Sequence, residues 1–364
     1  MKHLLKIGGL TTLLLVLLVL LIVLARNKVR HDLKKPAAFS ASPTITSEQD
    51  IVATGKGTRS VFVPYWTLGR VPIEEKYSQA IYFGIIPTTN GINTSEPGYV
   101  NLDTFSEEAV GKEKLLALRM LENTSNFKII ESKSIRGKVI KETLREAKNG
   151  DFDGILLDLE VSVIPFESVT KNIATFIEEF GNEAKSQNLK FTIAIYGDNY
   201  YRLRPFDVKT IAQSADTVMI MAYDFHKARS NPGPNFPLGG KEVYGYDFKS
   251  MIDNFTKDVP RQKLAVIFGM FGYDWTVDDN GKGIEVATPL SYYEISEKFL
   301  KSCTEKDCVI TRDPVSAESK ITYTDAENKK HIVWFEDEES ARQKEAFLKK
   351  RGINNISFWS HSYF

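Results

Sequence analysis

From Thr58 onward, short apolar runs alternate with stretches of helical hydrophobic period, and this alternation constrains the fold more than any other feature of the chain. The runs are Val61–Val63, Ala80–Ile85, Phe127–Ile130, Gly154–Leu157, Phe191–Ile195, Thr217–Met221, Lys263–Phe268 and Asn355–Phe358. Ile135, Val139, Ile140 and Leu144 make one helical face; Ile173, Phe176, Ile177, Phe180 and Ala184 make another, with Ser168 placed to cap it. Strands separated mostly by helices predict an α/β fold, a (β/α)8 TIM barrel, with an open doubly wound sheet as the alternative.

Two stretches break the alternation. Trp275–Val286 carries Asp279-Asn280-Gly281, a hairpin turn signal, and Ile321–Phe335 reads as two strands around Glu327-Asn328. Residues from about 276 to 335 therefore read as a small α+β insertion between strands seven and eight. Cys303 and Cys308 lie inside it, either as a local disulfide or as two free thiols. With five residues after Trp359, no helix is expected to follow the eighth strand.

Upstream, Ile7–Ala25 carries no charge and is mostly Leu and Val, behind Lys2 and Lys6. A hydrophobic helix of that length can just span a bilayer. Val23-Leu24-Ala25 also ends in small residues where a signal peptidase reads, so residues 1–25 are either a cleaved signal peptide or a membrane anchor. Both predict export. Arg26, Lys28, Arg30, Lys34 and Lys35 pull the other way, but large domains translocate largely regardless of such charges. Residues 26–57, polar and punctuated by Pro36 and Pro43, read as a flexible tether, which leaves 58–364 as the folded domain.

Composition narrows the function classes. The chain holds 47 Lys and Arg against 47 Asp and Glu, a balance that argues against a nucleic-acid partner. Two cysteines exclude a Cys-rich zinc module, and the five histidines sit in no metal-ligand spacing, so neither a metal nor a cofactor is expected.

Asp153-Gly154-Ile155-Leu156-Leu157-Asp158-Leu159-Glu160 is the most informative segment. Side chains alternate along a strand, so Asp158 and Glu160 share a face with Gly154 and Leu156 and point into the barrel at its carboxyl end. Active sites of such barrels lie at that end. Two inward carboxylates there raise at least one pKa, and a raised Glu pKa suits a general acid working near neutral pH.

This segment resembles the DxxDxDxE strand of family 18 glycoside hydrolases, the chitinase family. Met221-Ala222-Tyr223-Asp224 is similar to the family's strand-six M-x-Y-D motif, and Phe268–Trp275 to its strand-seven G-x-P-x-Y-G-x-x-W stretch. His331–Asp337 and Ile356–Trp359 resemble the segment that closes the barrel, most closely in bacterial members associated with cell-wall and spore-cortex lysis. The chain departs from the pattern in three places, the expected lack of a closing helix among them. Leu156 stands for the middle Asp, and the strand-three S-x-G-G stretch is absent, with Ile130–Ser134 near its expected place.

The resemblance implies an exported glycosidase that cleaves at N-acetylglucosamine residues of peptidoglycan, chitin or related glycans by substrate-assisted catalysis. Glu160 would be acid and base, Asp158 would orient the 2-acetamido group, and Tyr223 would hydrogen-bond its oxygen. Asp224 would contact the bound sugar, Trp359 would floor the subsite of the reacting ring, and Tyr65, Trp66, Tyr273 and Trp275 would offer further binding surface. Asp153 would support the motif. The partner would be an N-acetylglucosamine polymer, with the membrane engaged through residues 7–25 if they are retained. A non-hydrolytic carbohydrate-binding protein on the same barrel is the alternative; Glu160, the residue such lectins usually lack, is present.

Overall fold

Eight parallel strands hydrogen-bond side by side until the last pairs with the first. In this computed structural model residues 57–364 are described; the hydrophobic run Ile7–Ala25 and the tether through residue 56 lie outside them. In chain order the barrel strands are Arg59–Pro64, Gln79–Ile85, Glu113–Met120, Gly154–Leu159, Lys190–Tyr196, Thr217–Ala222, Leu264–Gly269 and Asn355–Trp359. Each neighbours the next in sequence, and closure is direct: Val61 pairs with Phe358 on one side and with Ala80 on the other.

The strands are buried on both faces, and their alternation builds two cores. Phe62, Ile81, Phe83, Leu115, Ala117, Leu156, Ala194, Met219, Met221, Ala265 and Ile267 fill the barrel interior. The intervening residues, such as Val61, Leu116, Ile155 and Val266, face outward against the helices. Lys133–Asn149, Glu167–Ser186 and Phe248–Asp258 are amphipathic, each burying a stripe that holds Ile, Phe or Leu. Ser168 does not cap the second of these. Phe166 holds the N-cap position, with no side-chain bond, and Ser168 sits in the first turn.

The third strand is a correction. Phe127–Ile130 lies in a helix, Asn123–Glu131, and the strand is Glu113–Met120. Leu115-Leu116-Ala117-Leu118 is made of good helix formers, yet as a strand it is buried on both faces, a tertiary environment that overrides local propensity. No helix follows the eighth strand among the described residues, where Tyr77, Phe364 and the Arg59 guanidinium instead pack on Phe358.

Between strands seven and eight stands a five-stranded antiparallel sheet in the order Thr288–Ser291, Phe271–Val277, Lys330–Phe335, Ser319–Thr324 and Lys306–Arg312. Its first strand begins at Phe271, five residues before the expected start of the insertion, and Lys306–Arg312 is a strand that the sequence reading lacked. Both expected turns form, at Asp278–Lys282 and around Asn328, whose φ is 59°. Cys303 and Cys308 are joined by a disulfide. The helix Glu338–Lys350 leads back to the barrel, and its Lys344 forms a fully buried ionic group with Glu318 and Glu336.

Candidate active site

The acidic segment is held in register along its whole length. A Cβ on Gly154 would fall 2.5 Å from the Lys190 carbonyl oxygen, so only glycine fits between these strands. Asp153 sits at the opposite end of the strand from the cleft, where its carboxylate accepts the Lys114 N–H at 2.7 Å; it supports strand pairing rather than chemistry. Leu156 is sealed inside the barrel. Asp158 is the next inward residue, and Glu160 continues the ladder by donating its N–H to Met120 O at 2.9 Å. Asn126 pins this strand end, its amide donating to Met120 O and Glu160 O at 2.7 and 3.1 Å.

Both carboxylates are held above their ordinary range. Burial is the main cause for Asp158, strengthened by repulsion from Glu160 and opposed by Arg119. Burial is also the main cause for Glu160, opposed by Lys227 and by the Tyr196 hydroxyl, which donates to Glu160 Oε2 at 3.3 Å. Asp158 Oδ1 is buried without a hydrogen-bond partner. A buried carboxyl that stays protonated near neutral pH can donate a proton to a leaving group.

The sixth strand delivers Tyr223 and Asp224 to the same place. Asp224 takes a left-handed backbone, φ 60°, and its N–H donates to Asn235 Oδ1 at 2.7 Å. Asn235 in turn donates to Gly269 O and Phe271 O, while the N–H groups of Asn235 and Phe236 donate to the buried Glu318 carboxylate. The Tyr273 hydroxyl donates to Asp224 Oδ1 at 2.7 Å, and burial raises the Asp224 pKa.

These groups open on a cleft of about 740 Å³, lined by Trp66, Asp158, Glu160, Tyr223, Asp224, Tyr273 and Trp359, with Leu290, Tyr293 and Glu294 of the insertion as one wall. The volume falls in the range of small-molecule sites. Trp359 rests on Phe62 and Phe83, with ring centroids 5.5 and 4.7 Å away. Trp66 is 37% exposed at the rim, and Tyr65 packs edge-on beside it, 5.0 Å between centroids. Trp275 corrects an expectation: its indole is fully buried against Tyr273 in the core of the insertion and offers no face to a ligand. His226 and His361 bond backbone carbonyls, of Pro234 and Val71. Among the described residues no cluster of His, Cys, Asp or Glu could hold a metal ion.

Sequence reasoning missed Arg119, Tyr196 and Asn235. Arg119 and Tyr196 each carry a polar group at the end of an apolar strand, which is a usable signal. Asn235 lies in a loop and carried none.

A closed eight-stranded barrel with paired acidic residues at the carboxyl end of its fourth strand puts those residues where barrel enzymes carry their active sites. The profile of glycosyl hydrolases family 18 matches residues 102–363, and the chain belongs to that family. It is 21% identical over 235 residues to the cortical fragment-lytic enzyme of Bacillus subtilis, covering 64% of this chain and 51% of that protein. It is 26% identical over 262 residues to chitotriosidase-1 of Mus musculus, covering 64% and 53%. The chain thus spans about half the length of these relatives. The family 18 chitinase of Cycas revoluta, solved in complex with (GlcNAc)3, superposes with a TM-score of 0.71 at 20% identity, covering 84% of this chain and 96% of that one.

Proposed function

We propose that the chain is an exported retaining glycosidase that cleaves β-1,4 bonds at N-acetylglucosamine residues of peptidoglycan, chitin or a related glycan. The observation that carries this reading is the convergence of Asp158, Glu160, Tyr223 and Asp224 on one cleft floored by Trp359. Glu160, whose pKa burial raises, donates its proton to the glycosidic oxygen. The 2-acetamido carbonyl of the substrate attacks the anomeric carbon, giving an oxazolinium ion whose positive charge Asp158 balances. Tyr223 steadies the acetamido oxygen, and Asp224 meets the sugar. Glu160 then takes a proton from water, and configuration is retained.

Residues 58–364 are the catalytic barrel in this reading, and residues 1–25 direct export or hold the protein at the outer face of the membrane through the tether 26–57. The (GlcNAc)3 bound to the Cycas enzyme supports the sugar chemistry. Mass spectrometry of products from peptidoglycan, chitin and N-glycan cores tests the substrate. Glu160→Gln, which keeps the shape and removes the titrating proton, is expected to lower turnover by a factor of about 10² or more while oligosaccharide binding survives. Turnover equal to wild type would sink the assignment.

A further inference from the structure

Arg119 has no role in the chemistry above, yet it lines the same cleft as Asp158. The two residues are direct partners in the parallel pairing of the third and fourth strands. Ala117 and Leu156, two residues earlier on each strand, are likewise paired, and both lie in the barrel interior. By the two-residue period of strands, Arg119 and Asp158 therefore point to the same side.

The Arg119 guanidinium is caged by aromatic rings, 4.7 Å from the centroid of Phe83, 5.5 Å from Trp66 and 5.6 Å from Tyr65. Its side chain is 12% exposed, and its Nε and Nη1 are buried without hydrogen-bond partners; Glu96, at 3.9 Å, is its ion pair. Asp158 Oδ1 is the matching orphan, an acceptor without a donor. Arginine stays charged in any protein environment, and a buried cation with idle donors costs folding free energy unless anions lie close by.

We propose that Arg119 is the counter-charge of Asp158, a positioning residue that favours the ionised form of this carboxylate on a strand where Leu156 supplies no polar neighbour. The idea rests on the reading of Asp158 and Glu160 as the reactive pair. Four elements surround the pair: Glu160 on the Asp158 strand, Tyr196 at the end of the fifth and Tyr223 after the sixth interact with Asp158, Glu96 after the second strand pairs with Arg119, and Arg204, Asp224 and Lys227 act on Glu160. Glu96, Glu160 and Asp224 are negative when ionised. Lys227 and Arg204 act on Glu160, so Arg119 is the cation that acts directly on Asp158.

The test is the titration of Asp158 itself, in the full chain without substrate. Carboxyl-¹³C aspartate is incorporated, and Asp158→Asn identifies the resonance. Arg119→Gln and Arg119→Met, the second filling the aromatic cage without charge, are expected to raise the Asp158 midpoint by about one pH unit or more. Arg119→Lys should move it by less than half as much. Melting curves establish that each variant is folded, and the Met variant carries the test if the Gln variant is not. An Asp158 midpoint unchanged in a folded neutral variant would overturn the proposal and leave Arg119 a packing residue. Turnover of N-acetylglucosamine polymers by the unaltered chain is measured separately, so failure of the glycosidase reading cannot be mistaken for failure of this one.

Discussion

At the scale of single residues, the carboxylate pair is decided by what lies within a few ångströms of each oxygen. Burial raises the Glu160 pKa first and Lys227 opposes it, so the acid loses its proton, and the rate should fall, as pH rises through that raised value. Replacing Lys227 by Met removes the opposing charge, and the alkaline limb of the rate–pH profile is expected to move to higher pH; kinetics across that limb check this. Leu156, which stands where the family pattern carries an Asp, is sealed away from the cleft. Its side chain is fully buried among Phe62, Phe83, Leu115 and Met219, one layer below Asp158. Leu156→Asp should therefore destabilise the barrel by about 3 kcal/mol or more, the cost of burying an unpaired polar group, and a fall in melting temperature reads it out.

Elements decide which aromatic groups a ligand can reach. Trp359 stands at the end of the eighth barrel strand and lines the cleft, whereas Trp275 lies on the strand Phe271–Val277 of the insertion's sheet, fully buried. Trp359→Ala is expected to weaken oligosaccharide binding at least tenfold with a small change in stability, because an indole stacking face is lost. Trp275→Ala should do the reverse, costing about 3–5 kcal/mol of stability through the cavity it leaves. Titration calorimetry and thermal melts on the two variants separate these outcomes. Both tryptophans fall in the motif-like stretches. Only packing tells them apart, since spacing along a strand shows which residues share a face but not what covers that face.

For the whole molecule, the insertion and the barrel are tied together by buried charge. Glu318, Glu336 and Lys344 are fully buried, and Glu318 also holds the loop that shapes Asp224. Two carboxylates share one ammonium, so burial and Glu318 push Glu336 up to about 7 although Lys344 opposes them. The folded state thus binds a proton that the unfolded chain releases at lower pH. Glu336 contributes stability fully below its unfolded pKa, and that contribution is lost as pH rises through about 7. Glu336→Gln keeps a neutral group there, so its melting temperature should fall less than wild type between pH 5 and 8 (about the window set by the two pKa values); parallel slopes would refute this.

The barrel, the acidic strand and the M-x-Y-D stretch were legible because each is written in consecutive residues. A strand's two-residue period places Asp158 and Glu160 on one face wherever the strand lies, and alternating runs and helices count the barrel's staves. The third strand was not legible, since Leu115–Leu118 carries helix formers and is buried on both sides, leaving no alternation to read. What only the tertiary structure decided is the meeting of distant segments: Arg119 beside Asp158, Asn235 beneath Asp224, Glu318 against Lys344. Those contacts join residues 11 to 39 positions apart, and no local period encodes them. Periodicity fixes a side chain's direction, whereas the energy of a charge or an indole depends on which neighbours the closed fold brings to it.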